Sequence, residues 1–154
     1  MKDVHMHLTN YSLNKNNKNF IFNTSDKDMD KGHKRSLTAI YKYLSSKGVD
    51  VESIKKRIDE MIIKTLIVGQ PMIAHTYGLA QADTQANDFC FQILGFDVLI
   101  NDELNPVILE VNHTPSFKTD TPLDKFIKKG LIKDTFKLLN VNVENKKEKV
   151  DQKK

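Results

Sequence analysis

Between residues 51 and 69 apolar side chains return every three or four positions. Val51, Ile54, Ile58, Met61, Ile62, Thr65, Leu66 and Gly69 form one stripe, while Glu52, Lys55, Lys56, Asp59, Glu60 and Lys64 fill the other face. That spacing predicts an amphipathic helix. Pro71 is expected to kink it or to open a new segment. Residues 74–88, AHTYGLAQADTQAND, are small and polar and read as a loop, with helix allowed at their start. Upstream, SLTAIYKYLSSKG from Ser36 reads as a short helix closed by Gly48. Downstream, Thr121-Pro122 supplies a capping hydroxyl followed by proline at the first helical position, with Asp124 in the first turn. Leu123, Phe126, Ile127, Leu131, Leu138 and Leu139 give that last helix its apolar stripe.

Residues 89–100 and 106–112 read as two strands around the polar turn NDELN. Residues 1–10 could hold a short strand, and residues 14–33 are dense in Asn, Lys and Asp and read as a long polar loop. The class is α+β: an antiparallel hairpin packed against helices.

Acidic groups interrupt both strands. Asp97 stands between Phe96 and Val98-Leu99-Ile100; Glu110 and Asn112 flank Val111 after Val107-Ile108-Leu109. A hairpin symmetric about Glu103 and Leu104 sets Asp97 opposite Glu110, with Asn112 on the same face as Glu110. Gly95, Leu99 and Ile108 are expected on that face too. Burying two unpaired carboxylates costs several kcal/mol each. A shared proton, an arginine or a divalent cation would each relieve that cost. Two carboxylates and an amide carbonyl are hard oxygen donors, which favours Mg²⁺ completed by phosphate oxygens. Zinc is disfavoured, because no Cys or His cluster accompanies them.

Composition narrows the classes further. The chain of 154 residues is 39% hydrophobic and 29% charged, which suits one globular domain. No apolar run is long enough to span a membrane, and no signal-peptide stretch opens the sequence. The single cysteine, Cys90, excludes an internal disulfide and is expected to be a buried apolar thiol. The net charge of +4 owes part of its excess to the last residues, NVENKKEKVDQKK, which read as a frayed or disordered tail over 141–154. Basic and aromatic residues are not interleaved in any nucleic-acid-binding motif. Taken singly, His5 and His7 read as edge-strand residues, and His33 and His75 as loop residues. The glycines form no phosphate-binding loop.

Three ordered motifs, HLTNYSLNK at 7–15, FQILGFDVLI at 91–100 and VILEVNHTPSF at 107–117, resemble the tubulin tyrosine ligase-like family. The intervening KRSL, the long helix and TDTPLDKFIKKGLIKDTFKLLN fit in the same order, so the resemblance covers about residues 5–140. Within the family, EVNHTPSF…TD…LD looks most like the polyglutamylase branch. The resemblance implies an ATP-grasp fold, of which residues 1–140 would be the C-terminal lobe. It implies an ATP-dependent ligase that adds free L-glutamate to the glutamate-rich tail of tubulin through an acylphosphate, with Mg²⁺. Asp97, Glu110 and Asn112 match the family's magnesium ligands, and Thr9 and Asn10 its nucleotide-phosphate contacts. Tyr11, Ser12, Lys34 and Thr119 match the region that holds the incoming amino acid. His113 matches a place beside the acceptor that fits extension of an existing glutamate chain.

The family's adenine-binding groups lie upstream of HLTNYS, so this chain is expected to be the C-terminal part of the catalytic unit. The alternative is a non-catalytic tubulin-binding or regulatory module derived from such a ligase. Either role implies a cytoplasmic, cytoskeletal location, with cilium or basal body among the sites, tubulin as partner, and neither nucleic acid nor membrane.

Overall fold

The computed structural model describes residues 11–25, 27–80 and 90–139. The strand expected within residues 1–10, and the tail over 141–154, lie outside the described residues. Contacts divide the chain into two units, Met1–Lys42 with Phe117–Lys154, and Tyr43–Ser116. The elements in order are α1 (Tyr11–Asn14), α2 (Leu37–Ser46), α3 (Val51–Ala80), β1 (Gly95–Ile100), β2 (Pro106–Asn112) and α4 (Pro122–Leu138). The class is α+β, with a two-stranded antiparallel sheet and helices.

Local chemistry sets most helix ends. The Ser36 hydroxyl accepts from the Ala39 amide at 3.1 Å and opens α2. Gly48, at φ +79°, closes it; the amides of Gly48 and Val49 donate to the carbonyls of Ser45 and Leu44. Asp50 caps α3, its carboxylate accepting from the Ser53 amide at 3.1 Å. Thr121 and Asp124 form a reciprocal capping box at the start of α4.

Helix α3 runs through Pro71 to Ala80, so the expected loop is helical over residues 74–80; residues 81–88 of it lie outside the described residues. Proline removes the amide that would bond to the Ile67 carbonyl. Both flanks are rich in helix-forming residues, and Ile67 is exposed, so water can reach the freed carbonyl.

The first strand is shorter than expected. Cys90 to Leu94 are irregular, and β1 begins only at Gly95. The Gln92 side chain bonds the backbone carbonyls of Ile93 and His113 instead of leaving the segment to pair as a strand. Cys90 is exposed, which corrects its reading as a buried thiol.

The turn between the strands is closed by the Asn101 amide donating to the Asn105 carbonyl at 3.0 Å, and by the Leu104 amide donating to the Asn101 carbonyl at 3.0 Å. The Asn101 side chain accepts from the Asn105 amide at 2.7 Å. Arg57 of α3 reaches this turn, donating to the Asn105 side chain at 2.6 Å, and α3 packs on β2. The buried apolar residues among those described are few: Val51 and Ile54 in one unit, Leu123 in the other.

Candidate active site

The hairpin register pairs Gly95 with Asn112, Phe96 with Val111 and Asp97 with Glu110. Nearer the turn it slips by one, pairing Val98 with Ile108, Leu99 with Val107 and Ile100 with Pro106. Leu109 is the extra residue, a β-bulge directly beside Glu110. The bulge preserves the pairing of the two acids but moves Ile108 opposite Val98, off the acidic face on which it was expected. The half-buried face therefore carries Val98, Ile100, Pro106 and Ile108, while Asp97, Leu99, Val107 and Glu110 stand exposed.

Asn112 links the two carboxylates. Its Nδ2 donates to Asp97 Oδ2 at 3.1 Å and to Glu110 Oε1 at 3.0 Å. Partial desolvation and the neighbouring Glu110 raise the Asp97 carboxyl above its ordinary value. Hydrogen bonds from Asn112 and Asp97 hold Glu110 below its own. The two carboxyls, in contact with one another, release their protons as a pair. Both acids lie at the surface, so the burial penalty anticipated from the apolar flanks is smaller than expected, while the repulsion between them remains.

This donor set fits a hard divalent cation. Two carboxylates and an amide converge on one side of a hairpin, and a cation there would demand the reverse orientation of the Asn112 amide, with Oδ1 inward. Among the described residues no three His, Cys, Asp or Glu side chains gather. A cation held by this trio would therefore take its remaining oxygens from phosphate or water.

His113 follows directly after β2 and is exposed; its backbone carbonyl accepts from the Gln92 side chain. The other unit assembles a second group. Lys34 Nζ stands 4.4 Å from the centre of the Tyr11 ring and 2.6 Å from Asp124 Oδ1. Asp124 is buried and turns its other oxygen to the amide and hydroxyl of Thr121, at 3.1 and 2.9 Å. The Ser12 carbonyl accepts from the Asn16 side chain, and Thr119 is exposed. Thr9 and Asn10 lie outside the described residues. The structure thus brings together Asp97, Glu110 and Asn112 in one unit, and Tyr11 and Lys34 in the other.

Two supporting residues were not anticipated. His33 Nδ1 accepts from the Ile21 amide at 3.0 Å, and its ring stacks on Phe20 at 5.1 Å. Phe20 in turn meets Tyr11 and Phe22 edge-on. Asp124 was read as a first-turn acid, and nothing local in the sequence points to its partner Lys34, ninety residues earlier.

Residues 1–149 match the model of the tubulin-tyrosine ligase family. The chain belongs to that family. It is 50% identical over 154 residues to a protein of Tetrahymena thermophila named "Probable beta-tubulin polyglutamylase", covering all of this chain and 13% of that one. It is 43% identical over 152 residues to the human protein named "Tubulin polyglutamylase TTLL6", covering 99% of this chain and 16% of the relative. The Xenopus tropicalis protein named "Tubulin polyglutamylase TTLL7" is 35% identical over 156 residues, with 17% of its length covered. The chain therefore spans less than a fifth of the length of these family members. Among its described residues no helix is long and apolar enough to cross a membrane.

Proposed function

We propose that this chain is the C-terminal, metal- and acceptor-binding part of an ATP-grasp ligase that adds glutamate to the acidic tail of tubulin in the cytoskeleton. The observation that carries this reading is the convergence of Asp97, Glu110 and Asn112 on one face of the hairpin. Relatives named as tubulin polyglutamylases support it.

A magnesium ion held by these three side chains would neutralise phosphate oxygens of ATP during transfer. Thr9 and Asn10, by resemblance, would hold the phosphates themselves. An acceptor carboxylate oxygen attacks the γ-phosphorus of ATP, ADP leaves, and an acylphosphate forms. The amine of free L-glutamate then attacks the acyl carbon, phosphate departs and the amine loses a proton. Lys34 offers an ammonium to the carboxylate of the incoming glutamate, with Tyr11 beneath it and Asp124 fixing its position. Ser12 and Thr119 would complete that amino-acid site. His113 follows, directly after β2, the asparagine that would ligate the metal. There its imidazole can donate a hydrogen bond to the carboxylate of a glutamate already attached to the acceptor.

The test is ATP-dependent incorporation of labelled glutamate into tubulin by the protein at the full length its gene encodes. Glu110→Gln removes one charge from the cation site at an exposed position and should leave the fold intact. Turnover is expected to fall by at least about a hundredfold, with unchanged thermal unfolding. Near-normal incorporation by this variant would overturn the assignment.

A further inference from the structure

Helix α4 carries five lysines, Lys125, Lys128, Lys129, Lys133 and Lys137. Four of them, at 125, 129, 133 and 137, are spaced four residues apart and so form a single stripe along the helix. Lys137 pairs with Asp134 at 3.1 Å, and Lys128 donates to the Lys118 carbonyl. Lys125, Lys129 and Lys133 are exposed, and no described residue gives their ammonium groups a hydrogen bond or an ion pair.

The helix does nothing to neutralise these three itself. No acid stands three or four residues from any of them, whereas each has another lysine four residues away. Like charges at that spacing repel and weaken an isolated helix. The two acids of α4 are committed elsewhere, Asp124 to Lys34 and Asp134 to Lys137. Exposed Phe126, three residues before Lys129, and exposed Phe136, three residues after Lys133, flank the ladder with apolar surface.

Geometry selects the partner. Four residues of helix advance about 6 Å. Alternate side chains on one side of an extended strand are about 6.7 Å apart. A run of acidic residues lying extended along α4 can thus set every second carboxylate against successive lysines, its backbone against the two phenylalanines. We infer that this face of α4 docks an extended, glutamate-rich peptide segment. The inference rests on the proposed function only for which acidic chain arrives; the stripe itself stands on spacing, exposure and charge.

The experiment is fluorescence anisotropy of the full chain with a labelled oligoglutamate of about ten residues, without ATP or magnesium. Binding is expected at low salt and should weaken steeply by about 0.15 M. The triple change Lys125→Glu, Lys129→Glu, Lys133→Glu should weaken it at least about tenfold, and the same three changed to Gln by an intermediate factor. A control with equal charge change, Lys18→Glu, Lys42→Glu, Lys56→Glu, should stay within about threefold of the unaltered chain.

The Gln variant guards against a misfolded Glu triple, and circular dichroism checks both. Equal losses in stripe and control variants would overturn the inference, as would no binding at low salt. An oligouridylate of the same length binding as tightly would also overturn it. A failed ligase assay with oligoglutamate binding intact in the unaltered chain counts against the proposed reaction and not against this surface.

Discussion

Asp124 divides its carboxylate between two tasks. One oxygen completes the cap of α4 with Thr121, and the other holds Lys34 at 2.6 Å. Burial alone would push this carboxyl up, but the hydrogen bonds from Lys34 and Thr121 and the nearby Lys128 charge hold it below its ordinary value. A carboxyl lowered in the folded state stabilises fully above its unfolded value and loses that contribution as pH falls through the folded one. Asp124→Asn should therefore cost about 1–2 kcal/mol at neutral pH, a figure reduced for the partial exposure of Lys34. The gap in thermal unfolding between the two proteins should close as pH drops below about 4, the ordinary carboxylate range. A gap that stays constant down to acid pH would assign the effect to packing instead of charge. The capping half of this arrangement was legible in Thr121-Pro122-Leu123-Asp124; the half that reaches Lys34 was not, because only the tertiary fold brings the two segments together.

At the level of elements, the hairpin shows what a sequence can and cannot reveal. Strict alternation and a short polar turn were enough to set Asp97 against Glu110, and the structure has that pairing. The bulge at Leu109 was not readable, since one extra residue leaves no mark in a run of Val, Ile and Leu. The start of β1 was also misplaced, because Cys90 to Leu94 are as apolar as a strand while Gln92 turns its amide to backbone carbonyls. Pro71 was expected to kink the helix or to open a new segment, and α3 continues through it to Ala80.

Gly95, the first residue of β1, lies close against Pro115. A Cβ there would lie 3.1 Å from the Cβ of Pro115 and 3.6 Å from that of Asn112. Its φ is not in the left-handed region, so the requirement is for space alone. Gly95→Ala should push the chain around Pro115 away and disturb Asn112, its direct strand partner. We expect a loss of about 1–3 kcal/mol in the urea midpoint analysis. An unchanged midpoint would mean that the Pro115 segment yields freely and that Gly95 does not set the site's geometry.

For the molecule as a whole, the notable imbalance is between apolar residues that are buried and those that are not. Val51, Ile54 and Leu123 are the buried apolar residues among those described, while Ile67, Val68, Met72, Ile73 and Leu79 of α3 are each more than three-fifths exposed. Leu66, Ile67, Gln70 and Ile73 line an apolar groove of about 470 Å³. Of these groove residues only Leu66 belongs to the apolar stripe that identified α3 as amphipathic, so the periodicity over residues 51–69 did not mark this patch. A contiguous patch of this kind attracts apolar ligands and other apolar surface. The chain of 154 residues should therefore bind the dye ANS strongly at neutral pH and show concentration-dependent association in sedimentation. Ile67→Asn with Ile73→Asn removes two walls of the groove at exposed helical positions, where the stability change should stay near about 0.5 kcal/mol. Dye fluorescence should fall by about half with the helix content unchanged. Dye binding unaffected by this pair would place the exposed apolar surface that matters elsewhere, on the open face of β1 and β2 or on α4, where Leu109 and Phe126 are also more than half exposed.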